Sequence, residues 1–292
     1  VLPGGGRIVG GKILGRYLLV WTTQSLFLGT YVGQVNQVWR FDKVGDKCGL
    51  IGPNAAAILG GTAFWISPDR QFHSYSAGGV VAPVSCTIRQ DFADNLAASQ
   101  ADKIMASTLA AYGEVRWDYP DQRDSFEVSR YLTVVAEGPD AGVWSRGRPM
   151  GGVSPARTAM VDAGPAPNPI GVSEAAEVYW HEQGHSADGG PLPWFIQSAD
   201  VFLDENAAVL VRQAWPDVAD QVGAVQLALA SRLHPQGART QFGPFTLAPG
   251  QETLDFKASG RLFQITWSGA SAPSFARIGR LAVDAKPRGR RG

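Results

Sequence analysis

Short apolar and aromatic runs broken by Gly, Pro and Asp turns recur along this chain and constrain it to antiparallel sheet. Residues 16–32 read as a hairpin: RYLLVWT is one apolar run, and SLFLGTYV follows after a break at Thr23-Gln24. Continuous runs of this kind suit strands covered on both faces. A meander follows, AAAIL, TAFWIS, QFHSYS and VVAPVS, punctuated at Pro68-Asp69 and Gly78-Gly79. EVRWDYP, RYLTVVAE and GVWSRG make another, with polar turns over 121–124 and 138–142. Aromatic strand centres recur at intervals of roughly fifteen residues, the repeat that four-stranded propeller blades produce. The content of 35 Gly and 19 Pro supplies turns for many strands and weighs against a helical bundle.

One segment breaks the pattern. Residues 91–111 read as helical, with Asp91 placed to cap the first turn and Phe92 and Leu96 on one face. Ser99 with Asp102 resembles a second cap, and Gly113 ends the stretch. A proline-rich link at Pro165, Pro167 and Pro169 precedes longer strands from Trp194 onward. In AVQLALASR, Val225, Leu227 and Leu229 alternate with Gln226, Ala228 and Ala230, a period of two. The expected fold is therefore all-β: propeller-like antiparallel meanders over 1–195 with a helical insertion at 91–111, then a C-terminal β-rich layer with a basic tail over 196–292. The chain begins at Val1 inside a glycine-rich stretch, so the propeller is expected to be incomplete at its N-terminus.

Charge is balanced, 26 basic against 26 acidic residues, so no global field recruits nucleic acid or membrane. The exception is the C-terminus, where Lys286, Arg288, Arg290 and Arg291 cluster as a solvated tail or a phosphate or partner contact. Two cysteines, Cys48 and Cys86, cannot build a disulfide framework. No apolar run approaches the length that spans a bilayer.

Several segments look like chemistry. HEQGH (residues 181–185) matches the H-E-x-x-H zinc signature, which needs both histidines on one helical face and the glutamate as base. In that reading His181, His185 and Glu205 would hold zinc with Glu182 as base. Gly184 inside the motif and the breaker run Asp188-Gly189-Gly190-Pro191 after it argue against a helix, so the expectation is no metal, no cofactor and no catalytic residue. GRIVGGK (residues 6–12) approaches a P-loop but carries Ile13 where Ser or Thr should meet magnesium, and it lacks the strand-to-helix context. Mid-strand tryptophans such as Trp21, Trp65, Trp117 and Trp144 suit core packing better than a carbohydrate platform. His73 and His234 have no partners at ligand spacing. In LIGPNAA (residues 50–56), Gly49, Gly52 and Pro53 read as a structural turn that sends Leu50 and Ile51 into the core.

The succession LIGPNAA, EVRWDYP, ARTAMVD and HEQGH resembles the packaged-DNA stabilisation protein, or tail nozzle, family of short-tailed double-stranded DNA bacteriophages. The resemblance runs from about Leu18 to the final GRR. It implies a structural, non-enzymatic virion protein of the tail, assembled in the host cytoplasm. It further implies a homohexameric ring below the portal and adaptor that retains packaged DNA, forms its exit channel and anchors a plug or needle with tailspikes or fibres. A zinc-dependent hydrolase using HEQGH is the alternative.

Overall fold

In the computed structural model the protein is all-β, with strands β1 to β23 and, among the described residues, a single short α-helix. The structure describes residues 2, 6–124, 127–148, 157–164, 166–204 and 207–290, the last two by backbone alone. Glu205 and Arg291 lie outside the described residues. The chain divides into two compact units, Val1–Gln183 and Gly184–Gly292; the sequence placed the change near residue 196. No helix among the described residues is long and apolar enough to cross a membrane.

The first unit is a succession of antiparallel meanders. β1 (Ile8–Leu14), β2 (Tyr17–Thr22), β3 (Ser25–Gln34) and β4 (Gln37–Asp46) form one sheet. β5 (Ala56–Leu59), β6 (Thr62–Ile66), β7 (Phe72–Ser76) and β8 (Ala82–Pro83) form the next. Helix α1 (Arg89–Asn95) and a 3-10 segment (Ala98–Lys103) lead to β9 (Met105–Leu109), β10 (Glu114–Pro120), β11 (Val128–Val135) and β12 (Trp144–Gly147), the third sheet. β13 (Arg157–Val161), β14 (Ile170–Ser173) and β15 (Val178–Trp180) make the fourth. The opening strands are neighbours in sequence order: β1 lies beside β5, β5 beside β9, and β9 beside β13.

β10 shows how sequence becomes packing. Its period of two sends Val115, Trp117 and Tyr119 to one face and Glu114, Arg116 and Asp118 to the other. On the first face Trp117 is 1% exposed, meets the edge of Phe72 at 5.2 Å and donates its indole N–H to the Ala55 carbonyl at 3.1 Å. The second and third sheets are thus joined by an aromatic core that also holds Trp21, Trp65 and Leu132. The mid-strand tryptophans Trp21, Trp65 and Trp117 are core residues, whereas Trp180 on β15 is exposed.

Two local readings need correction. The helix expected over 91–111 is α-helical only at Arg89–Asn95, and its second half is strand β9. Ile104, Ala106 and Leu109 are wanted in the core, and pairing with β10 from Met105 to Leu109 satisfies the backbone there. Asp91 does not cap; Ile88 holds that position, and Asp91 instead pairs with Arg123 and Arg146, each at 2.9 Å. In the turn of Gly49, Gly52 and Pro53, Leu50 enters the core at 2% exposure while Ile51 is only half-buried. Neither glycine has a left-handed φ. Close approach explains them: a Cβ on Gly52 would lie 2.7 Å from the Ala101 carbonyl oxygen, and one on Gly49 would lie 2.4 Å from the Thr23 backbone.

The second unit is a two-layer sandwich. β16 (Trp194–Gln197), β17 (Val201–Phe202), β19 (Val225–Arg232), β20 (Thr240–Leu247) and β22 (Leu262–Gly269) form one sheet, with β22 between β16 and β19. β21 (Leu254–Gly260), β18 (Ala207–Val222) and β23 (Phe275–Arg290) form the other, in that order. Val225, Leu227 and Leu229 of β19 face Val209, Val211 and Phe256 of the second sheet across a shared core, as their alternation requires.

Candidate functional site

One face of β10 carries Glu114, Arg116 and Asp118. Arg116 is 8% exposed and Asp118 1%, and the guanidinium grips the carboxylate through Nε at 3.0 and 3.2 Å and through a terminal nitrogen at 2.6 Å. Residues two apart on a strand share a face, so the fork and its acceptor are set by β geometry alone. Arg116 also lies 3.9 Å over the Tyr131 ring of β11. Burial works against its charge, but the Asp118 carboxylate more than offsets this and raises the proton affinity of the guanidinium.

The fourth sheet brings a second cation to this face. Arg157 of β13 lies 3.8 Å over the Tyr179 ring and donates from Nε to Nε2 of His181 at 2.9 Å. His181 is fixed through its backbone, its N–H donating to the Pro169 carbonyl at 2.8 Å. Burial, then the charges of Arg116 and Arg157, pushes the imidazole down to about 4, so it is neutral near pH 7. A neutral ring can accept the Arg157 hydrogen bond; a protonated one cannot.

Glu182 follows with a left-handed φ of 55°, uncommon for a side chain of this kind. The amide of Asn168 donates to the Glu182 carbonyl at 3.1 Å and to the His181 carbonyl at 3.3 Å, helping to hold this bend. Glu114, half-buried at the start of β10, has its proton affinity raised by burial and then by the charge of Glu182, with Arg116 opposing. The Tyr112 phenol hydrogen-bonds Glu182 and is itself raised, first by the Glu182 charge and then by burial.

A cleft of about 150 Å³ opens at this rim, lined by Tyr112, Asp162, Asn168 and Glu182 with Leu109 and Pro169 among its apolar walls. Asp162 is anchored on both oxygens: Oδ2 accepts from the Thr108 hydroxyl at 2.9 Å and the Ala110 N–H at 2.8 Å, and Oδ1 from the Ala163 N–H at 2.7 Å. The cleft thus presents two carboxylates, an amide and a phenol, and none of its wall residues is basic.

The zinc reading of HEQGH does not fit these residues. The segment is irregular rather than helical, so His181 and His185 do not share a helix face. His181 belongs to the first unit and gives its Nε2 to Arg157; His185 belongs to the second, where its ring stacks on Phe275 at 4.6 Å. Among the described residues no group of three His, Cys, Asp or Glu is placed to hold a metal. The P-loop-like stretch is strand β1. Gly49, Gly52 and Pro53 act in packing, while Lys286 and Arg288 lie on β23, remote in sequence from this site. Sequence reading found His181 and Glu182 for the wrong chemistry and missed Glu114, Tyr112 and Asp162. The signal lay in EVRWDYP, where charges occupy every second position of a strand whose other positions are apolar or aromatic.

No protein-family model matches the sequence, and no curated protein does. The chain is similar to solved structures of exo-β-1,3-galactanase from Phanerochaete chrysosporium with β-1,3-galactotriose. In two variants of that enzyme the identity is 9% and the TM-score 0.31, covering 92% and 94% of this chain and 78% and 80% of the other. A third structure, described as a glycoside hydrolase, matches at 8% identity and TM-score 0.30 over 94% of this chain and 83% of the other. None of these three structures is described as a tail component, and the expectation of a non-enzymatic tail nozzle is withdrawn; the zinc hydrolase is set aside on the geometry of HEQGH. A likeness this loose carries no activity or substrate to this chain.

The His181 environment makes a pH prediction. Its folded pKa of about 4 lies below the ordinary 6.5, so the unfolded chain binds more protons between those values. This contribution to stability is complete above pH 6.5 and is lost as pH falls through 4. Thermal midpoints should therefore drop from pH 6.5 to 4 in the wild type, and His181→Gln should flatten that part of the profile. An unchanged slope in the variant would show that another group is responsible.

Proposed function

We propose that the first unit binds a small polyol or amine in the cleft of Tyr112, Asp162, Asn168 and Glu182, with the two carboxylates as its principal acceptors. The observation that carries this is the cleft itself, whose wall holds Glu182 and an Asp162 carboxylate fixed by the Thr108 hydroxyl and the Ala110 and Ala163 N–H groups. Asp162, Glu182 and Asn168 supply acceptors for hydroxyl or ammonium hydrogens, and Leu109, Pro167 and Pro169 supply apolar wall. A volume of about 150 Å³ is that of a cavity that takes a six-membered ring.

The test is ligand-observed NMR with a panel of six-membered polyols and primary amines. Saturation transfer should be seen for at least one of them and should fall by roughly tenfold in apparent affinity in Glu182→Gln, the size of losing one charge-assisted hydrogen bond. Transfer that persists unchanged in Glu182→Gln, or its absence across the panel, would contradict the reading.

A second reading concerns self-association, and a separate feature favours it. β3 and β4 outrun β2, which pairs only residues 18–21 with 26–29, so residues 30–34 and 37–40 form a two-stranded ribbon. An isolated two-stranded ribbon is marginal in water. This one exposes Tyr31 by 63% and Trp39 by 40%, with their rings 5.5 Å apart and Trp39 stacked on Phe41. Aromatic ladders of this kind are enriched at interfaces, and closed homo-oligomers are the commonest assemblies. Light scattering after size exclusion should give an oligomer that Trp39→Ser shifts toward monomer. A wild-type monomer at about 100 μM, a concentration at which interfaces of ordinary affinity are occupied, would rule this reading out.

A further inference from the structure

The arginines of the third sheet are largely neutralised: Arg116, Arg123, Arg130, Arg146 and Arg148 each meet an aspartate. The outer face of the second unit's three-stranded sheet is built differently. Alternation on β18 and β21 buries Val209, Val211, Phe256 and Ala258 and turns Arg212 and Lys257 outward. Register brings the two together, since Val211 pairs with Ala258 and Gln213 with Asp255, on either side of the bulge that carries Arg212. β23 pairs with the other edge of β18 and adds Arg288. Arg212, Lys257 and Arg288 line one concave surface of about 800 Å³ with Asp255 as its only carboxylate, and none of the three cations has an ion-pair partner among the described residues.

This surface continues into a second cleft of about 500 Å³, the two sharing Ser259 and Arg288. Arg232 forms part of its wall, paired to Asp200 through a terminal nitrogen, while its Nε is buried with no acceptor among the described residues. A buried donor of this kind costs stability unless an acceptor is supplied. Three unpaired cations on one concave face repel one another, and an anion relieves that repulsion while a neutral ligand does not.

We infer that these joined clefts bind a phosphate-bearing polyanion, with Arg212, Lys257 and Arg288 on its oxyanions. Arginine presents a planar fork that matches phosphate oxygens, and lysine adds a compact point charge. The joined clefts are far larger than one phosphate requires, which favours a ligand with several phosphoryl groups in sequence. Sequence reading offered a phosphate or partner contact as one of two readings of the terminal run Lys286, Arg288, Arg290 and Arg291; this surface draws in Arg212 and Lys257, some thirty to seventy-five residues earlier, together with Arg288.

The experiment is calorimetric titration of the full chain with sodium tripolyphosphate, with orthophosphate and sulfate in parallel arms. Saturable binding of tripolyphosphate should be tighter than that of either simple anion, and should weaken as salt rises from about 0.05 to about 0.5 M. Arg288→Gln and Lys257→Gln should each weaken it by roughly three- to tenfold. Asp255→Asn should tighten it, an outcome that damage to the fold would not produce. Arg277→Gln, whose side chain pairs with Asp220 on the same unit, should leave it unchanged. Absence of tripolyphosphate binding at low salt would overturn the inference, as would binding indifferent to Arg288 and Lys257, or equal binding of all three anions.

Discussion

The bidentate pair of Arg116 with Asp118 is the constraint around which the first unit is arranged. Two nearly buried charges on one face of β10 can be tolerated only if each satisfies the other, because desolvation of a lone charge costs several kcal/mol. Once the pair is formed, the face of β10 that carries it cannot join an apolar core. The opposite face, with Trp117 and Tyr119, takes that role and packs toward the second sheet. The charged face is left for the fourth sheet, which answers with Arg157, Tyr179 and His181. One strand thus separates an aromatic interface from an ionic one.

The same pair sets the electrostatics of the rim. Burial first, and then the charges of Arg116 and Arg157, keep His181 neutral, and its free ring nitrogen accepts from Arg157. Glu114 is the outermost acid of β10, where burial and Glu182 together favour its protonated form against the pull of Arg116. The cleft therefore sits where charge compensation gives way to solvent. Positions of this kind, with desolvation and a like charge acting on one carboxyl, are where proton affinities are shifted furthest and where chemistry tends to be found.

Much of the fold was legible in the sequence, because period-two alternation and turn residues are local. EVRWDYP is β10 residue for residue, and AVQLALASR is β19 with its branched and leucine side chains inward, one residue beyond its N-terminal end. The helix was misjudged because residues 105–109 are recruited to pair with β10, a contact that no local window contains. The site was harder still. Asp162 and Glu182 come from separate segments and line one cleft, and Glu114, from a third, feels the Glu182 charge from the start of β10. The H-E-x-x-H pattern drew attention to the right place for the wrong reason: its chemistry presumes a helix, and residues 181–190 form none.

The influence of Glu182 on Glu114 can be tested without knowing any ligand. Carbon-detected NMR titration of glutamate side-chain carboxyls would follow Glu114 in the wild type and in Glu182→Gln. The account predicts a wild-type midpoint above the ordinary 4.5, and a lower one in the variant, since the Glu182 charge is the second contribution after burial. A Glu114 midpoint at or below 4.5, or one that does not move when the Glu182 charge is removed, would contradict it.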